Sequence, residues 1–298
     1  MHLITFRESS GELRLGVESL GRAIPATHFR PTAPRTIEEL LTGGIDALSR
    51  LVESVDPSQI RSRGTALDEL HLEAPVPRPG KVVAIGRNYA DHAAEEGVVA
   101  PEAPLIFAKW PSAVIGPGAE IRWDPALTSQ VDFEAELGVV IGRRARRVSE
   151  SDALGYVLGY TCINDVSARD LQFGDGQWVR GKSLDTFCPM GPVLVTADEI
   201  ADPGRLAISC HVNGVELQSA STAQMFFGVA QIISYCSRAF TLEPGDVIAT
   251  GTPSGVGAFR HPPMYLADGD RVTVFVESIG ELTNTCRYEP QSAEDESK

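Results

Sequence analysis

Three carboxylates set in strand-like apolar sequence constrain this chain more than any other feature. Glu134 and Glu136 stand in Val131-Asp132-Phe133-Glu134-Ala135-Glu136-Leu137-Gly138, and Asp165 follows the apolar run Tyr156–Ile163 and Asn164. An acid buried among apolar side chains is costly unless positive charge or hydrogen-bond donors meet it. The fold must therefore leave these acids in water or bring cations to them. On a strand, residues two apart leave the same face, so Glu134 and Glu136 are expected side by side, with Asp132 continuing the alternation. One reading is the solvated face of an edge strand. The other is an oxygen-ligand set for a hard divalent cation, Mg²⁺ or Mn²⁺ rather than zinc. Leu137–Ile141 is apolar on both faces, as a central strand would be, yet on residue chemistry alone both readings stand.

The length, 298 residues, suggests about two domains. Residues 1–73 read as a small N-terminal unit. Strand-like runs His2–Phe6 and Leu13–Val17 flank Ser9-Ser10-Gly11, a hairpin signal. Helix candidates Thr36–Leu41 and Ile45–Val55 are split by Gly43-Gly44. A proline-rich linker over 74–80 leads into a second unit, 81–288, and a polar tail covers 289–298. The second unit carries β-branched runs at Val82–Ile85, Leu137–Ile141, Val193–Val195, Val247–Ala249 and Val272–Val276. Its strongest helix candidate is Thr222–Phe240, with Met225, Val229, Ile232 and Cys236 at helical spacing. The five cysteines are odd in number and have no Cys-x-x-Cys pair, which fits reduced core residues in a cytoplasmic protein. No run of about 18 apolar residues offers a membrane span, and Met1–Glu8 reads as a strand without signal-peptide layout. A net charge of −14 argues against nucleic acid or an anionic membrane as partner. A small anion can still bind where metal and basic groups reverse the local field.

Beyond the acids, three motifs bear on chemistry. Gly176-Gln177-Trp178-Val179-Arg180-Gly181-Lys182-Ser183 matches the phosphate-loop pattern, but that loop needs a strand before it and a helix after it. Polar residues precede this one and Pro189 follows closely, so nucleotide binding is the remote alternative. Lys182 instead reads as a loop lysine able to reach a carboxylate-lined site. In Gly86-Arg87-Asn88-Tyr89-Ala90-Asp91-His92, a strand stops at Gly86 and a short helical stretch follows. His92 and Glu95, three apart, share a helix face, as a surface ion pair or as a carboxylate-oriented base. Finally, the glycines of Ala249–Gly257 let backbone amides approach a small ligand, or simply mark a strand exit.

Taken together, Gly86–His92, Glu134-x-Glu136, Asn164–Gln172, Gly181-Lys182-Ser183 and Thr250–Pro253 resemble the fumarylacetoacetate hydrolase superfamily, in its acylpyruvase and oxaloacetate decarboxylase branch. The motifs occur in family order from Lys81 to about Thr285. The resemblance implies a mainly β fold with flanking helices, a mixed-sheet roll, forming a homodimer. It implies Glu134, Glu136 and Asp165 as ligands of Mg²⁺, with Mn²⁺ or Ca²⁺ as alternatives. It implies His92 and Glu95 as the water-activating pair on a lid helix, Lys182 as a catalytic lysine, and Arg169, Gln172 and Thr252 as substrate contacts.

The expected reaction is hydrolysis of a carbon–carbon bond in a small anionic oxo-acid, a 2,4-dioxo acid of the acylpyruvate or fumarylpyruvate kind. His92 would take a proton from water, water would attack the 4-carbonyl, and pyruvate enolate would leave. Decarboxylation of oxaloacetate and isomerisation of a hydroxy-diene-dioate share that enolate and are the alternatives.

Overall fold

A computed structural model describes residues 1–289; apart from Glu289, the polar tail expected over 289–298 lies outside them. The architecture is mainly β, with mixed sheets and helices packed around them, as expected. Among the described residues the largest sheet has twelve strands. From its centre to one edge it runs Cys188–Thr196, Val157–Asn164, Ala135–Ile141, Val247–Ala249, Val82–Gly86, Leu105–Lys109. The neighbours are antiparallel except Val247–Ala249 and Val82–Gly86, which run parallel. A five-stranded sheet, Val215–Ser221, Ala207–Val212, Arg271–Val276, Gly280–Tyr288 and Glu120–Trp123, packs against it.

The strand Ala135–Ile141 shows why the run is apolar on both faces. Ala135, Leu137, Val139 and Ile141 face the core shared with Ile208, Cys210 and Val274 of the second sheet. Val140 faces a second core with Ile163, Val247, Leu40 and Leu51. Side chains that alternate between two interiors leave no wet face, and this strand is buried at every position.

The N-terminal hairpin forms as expected, His2–Arg7 against Leu13–Ser19. His2–Arg7 also pairs with Cys188–Thr196, so the N-terminal strands extend the large sheet. The helix Ile37–Ser54 bends at Gly44, whose φ of 63° breaks it where the sequence placed a split.

The helix expected over Thr222–Phe240 begins instead at Val229 and ends at Ala239. Ser221–Gln224 closes a one-turn capping box, and residues 225–228 stay extended. There Phe226 N donates to Asn88 O (2.7 Å) and Phe227 N to Asn88 Oδ1 (2.9 Å). A tertiary contact thus outweighs helix periodicity, and it braces the segment that carries His92. Val229, Ile232 and Cys236 remain the buried stripe.

No helix among the described residues is long and apolar enough to cross a membrane. The five cysteines are free and buried.

Candidate active site

Register brings the three acids together. Ala135 pairs with Asn164 across the antiparallel ladder, so the residues just before one and just after the other share one end of the sheet. Glu134 and Glu136 do not share a regular strand, as the alternation suggested. Residues 133–134 interrupt the ladder between Val131–Asp132 and Ala135–Ile141. The Asn164 side chain accepts from Glu134 N (3.0 Å), and Asp165 N donates to Glu134 O (2.9 Å). This local break turns Glu134 inward beside its neighbours. One oxygen from each of Glu134, Glu136 and Asp165 lies within 4.8 Å of the others, and all three residues are buried.

Cations meet them, as buried acids require. Lys182 Nζ donates to Glu134 Oε2 and Asp165 Oδ2, each at 2.8 Å. Arg169 reaches Asp132 Oδ2 through Nε (2.8 Å), Gln172 Oε1 through Nη1 (3.0 Å), and lies 2.7 Å from Glu134 Oε1. Lys109, fully buried, sits 2.6 Å from Asp165 Oδ1. That carboxylate oxygen nevertheless has no aligned hydrogen bond. Lys109 also donates to the carbonyls of Val166 and Lys182. Burial disfavours charge on Glu134, but Lys182, Arg169 and His92 hold its carboxyl well below the usual range. Burial and the charges of Asp165 and Glu134 push Glu136 the other way, well above it. Gly251 N donates to its Oε2 at 2.9 Å. Gly251 has φ +102°, and a Cβ there would meet Asn88 Cβ at 2.7 Å, so only glycine brings this amide so close.

The residues fit a divalent cation. Three buried carboxylate oxygens converge, one acid resists ionisation, and an oxygen of Asp165 has lone pairs without aligned donors. Such an all-oxygen set suits a hard ion.

The phosphate-loop match fails on its context. The helix Arg169–Asp175 precedes it, Gly176 caps that helix in the left-handed region, and Val179–Lys182 forms one helical turn. Lys182 ends that turn rather than lying in a loop, and it faces carboxylates. A Cβ at Gly181 would lie 2.6 Å from Gln172 N, so this glycine lets the two short helices touch.

His92 lies on the short helix Ala90–Glu95 and is buried. Its Nδ1 is 3.1 Å from Glu95 Oε2 and its Nε2 is 3.0 Å from Glu96 Oε1. Burial alone would lower its pKa, but both carboxylates and the charge of Glu134 raise it to about 9. Both ring nitrogens thus face carboxylates, an arrangement that favours the protonated ring. Side chains tie this helix to the 250–255 segment: Ser254 Oγ donates to Asp91 Oδ2 (2.7 Å) and Gly255 N to Glu95 Oε1 (3.0 Å). Thr252 Oγ1 accepts from buried Gln218 (2.8 Å).

One narrow cleft is lined by His92, Glu134, Glu136, Arg169, Lys182 and Thr252, with Gln172. Glu95 joins through His92 and Asp165 through Lys182, so all nine sequence-nominated residues meet in one place. Sequence reasoning missed four more. Asp132, which only continued the alternation of the two glutamates, is fully buried and accepts from Gly257 N, Ala258 N and Arg169. Lys109 ends an otherwise apolar strand, Leu105–Lys109, and that lone charge was the available signal. Glu96 stands four residues beyond His92, again on its face. Gln218, on the strand Val215–Ser221, gave no signal.

Comparison with known proteins agrees with this fold. Residues 81–287 match the family described as fumarylacetoacetate (FAA) hydrolase C-terminal. The chain is 46% identical over 277 residues to oxaloacetate tautomerase FAHD2A, mitochondrial, from Bos taurus, spanning 91% of this chain and 86% of that one. It is 48% identical over 222 residues to oxaloacetate tautomerase YisK from Bacillus subtilis, spanning 74% of each. Among solved structures, fumarylacetoacetate hydrolase from Exiguobacterium antarcticum superposes with a TM-score of 0.85 at 40% identity, over 97% of this chain and all (100%) of that one. The 2-hydroxyhepta-2,4-diene-1,7-dioate isomerase from Mycobacterium marinum gives 0.74 at 36% identity, over 98% and 100%.

Proposed function

The chain belongs to the fumarylacetoacetate hydrolase family, a family of enzymes, and from that premise we propose that it interconverts the enol and keto forms of a 2-oxo dicarboxylate of the oxaloacetate kind. The observation that carries this reading is His92, clamped at both ring nitrogens by Glu95 and Glu96. Water activation needs a free lone pair on the ring. A protonated ring instead holds a proton ready for delivery, and tautomerisation needs one proton delivered to carbon as another leaves oxygen. The two relatives named oxaloacetate tautomerase support it.

A divalent cation, Mg²⁺ by the chemistry of the donors, held by Glu134, Glu136 and Asp165 would supply Lewis-acid stabilisation of developing negative charge on oxygen. Lys182 and Arg169 add fixed positive charge at the same end of the cleft. His92 presents its Nε2 proton to carbon 3, and Glu95 keeps the ring oriented through Nδ1. The steps balance: the enol O–H proton passes to solvent, the C2=C3 pair takes the His92 proton at carbon 3 as C2=O forms, and the imidazole takes back a proton from solvent. No oxidant and no water are consumed.

Hydrolysis of a 2,4-dioxo acid is the second reading, favoured by the same His92–Glu95 pair once a lone pair is exposed. A homodimer and a cytoplasmic setting, expected from the family likeness and the scattered cysteines, belong to this proposal too. The test is an assay of Mg²⁺-loaded protein with freshly dissolved enol oxaloacetate, followed by loss of enol absorbance, beside acetylpyruvate cleavage. Fast enol loss with slow cleavage is expected. Fast cleavage without any effect on the enol would reverse the assignment in favour of hydrolysis.

A further inference from the structure

The cleft is nearly full. The space left among its side chains is about 20 Å³, close to a single water. A 2-oxo acid enters only if something leaves. Glu96 is the side chain placed to do so. Its carboxylate bridges two groups, accepting from Arg87 Nε at 2.8 Å through Oε2 and facing His92 Nε2 at 3.0 Å through Oε1. That is the position of a carboxylate within reach of the nitrogen assigned to proton delivery.

The cations around the cleft are not equally committed. Arg169 and Lys182 are held by Asp132, Glu134 and Asp165. Arg87, by contrast, makes one hydrogen bond among the described residues, the one to Glu96. Its guanidinium stacks over Trp178 at 5.5 Å from the ring centroid and is a third exposed (33%). Its backbone sits at φ +55°, uncommon for a residue with a side chain. Trp178 fixes this arrangement from below, packing where a Cβ on Gly86 would be only 2.5 Å away.

We propose that Arg87 is the receptor for the second carboxylate of the substrate, and that Glu96 is an internal stand-in which that carboxylate displaces. The inference rests on the tautomerase reading and deepens it. An incoming dicarboxylate exchanges one carboxylate for another on Arg87, so charge balance on the guanidinium is kept. Glu96 is then free to swing out, and His92 Nε2 is released toward the substrate. A monocarboxylate offers Arg87 nothing in return. It must break the Arg87–Glu96 pair without replacement, and a charge-assisted hydrogen bond is among the stronger ones to lose. The latch therefore selects 2-oxo acids with a carboxylate at each end and couples their binding to release of the proton carrier.

The test compares oxaloacetate with acetylpyruvate, which has one carboxylate, in wild type, Arg87→Gln and Arg87→Lys. Equilibrium binding of both acids is measured by calorimetry in the His92→Ala background, where turnover is suppressed, with and without Arg87→Gln. Rates of the intact enzyme are read alongside. Arg87→Gln is expected to lower the preference for oxaloacetate by roughly tenfold or more, through KM and Kd rather than kcat, with partial recovery in Arg87→Lys. Glu96→Gln is expected to lower the Kd of oxaloacetate severalfold by weakening the internal competitor. A preference unchanged within about twofold in Arg87→Gln, by binding, overturns the proposal. A wild-type enzyme inactive on both acids fails the tautomerase and hydrolase readings instead, while the binding preference still decides the role of Arg87.

Discussion

The two halves of the candidate site are built in opposite ways. The carboxylate cage lies at the ends of central strands, and each of its acids is met by groups from other elements: Lys109 at the end of the strand Leu105–Lys109, Lys182 on a one-turn helix, Gly251 on a loop. The proposed lid is six residues of helix, Ala90–Glu95, leaving through Gly97 at φ +68°. It is held by a few side-chain hydrogen bonds to the 250–255 segment and by Asn88. Cage geometry is over-determined by buried charge, whereas lid geometry rests on contacts that can be exchanged one at a time. The charge-stabilising half of an enolate site gains from being fixed, while the proton-carrying half must admit substrate.

The sharpest break in that comparison is Lys109→Met. Removing one member of a buried charge network leaves the rest uncompensated, at a cost of about 3–5 kcal/mol. Urea unfolding of the chelated protein is expected to show that loss; a change under about 1 kcal/mol would mean the cage is not held by its charges.

His92→Ala addresses the lid. Loss of a general acid typically costs about 10²–10⁴-fold, so kcat for enol loss should fall by that order while divalent-cation affinity stays within a few-fold. Wild-type activity in that variant would remove His92 from the reaction.

A smaller effect separates the halves by ligand. Mg²⁺ at about 100 times its Kd should stabilise the protein by about 2.7 kcal/mol, read from urea midpoints, and Glu136→Gln should erase most of it. Because the Glu136 carboxyl resists ionisation in the metal-free fold, cation affinity should rise with pH.

The pH dependence of the metal-free fold comes next. The His92 pKa is raised from 6.5 to about 9. Its stabilisation is fully present below the unfolded value and is lost as pH rises through about 9. Thermal melts of chelated protein should drop across that window, and His92→Ala should flatten the drop.

Smallest of all, amide exchange without ligand should be faster in Ala90–Glu95 than in Ala135–Ile141. Equal protection would contradict a movable lid.

The strands and the burial of Leu137–Ile141 on both faces were legible because apolar runs are local signals, and the nine residues nominated from spacing and from the family resemblance lie around one cleft. The sequence could not show how the acids converge, which depends on the Ala135–Asn164 register and the ladder break at Glu134. Asp132 was not nominated because its partners, Arg169 and the amides of Gly257 and Ala258, are distant in sequence. Residues 225–228 looked helical because the pull of Asn88 on that backbone is tertiary.

The most direct measurement is enol-oxaloacetate turnover by one sample as purified, after exhaustive chelation, and after Mg²⁺ is returned. Collapse on chelation with recovery on re-addition is the predicted result. Turnover undiminished by chelation would mean that the Glu134, Glu136 and Asp165 cage does not hold the ion the chemistry needs.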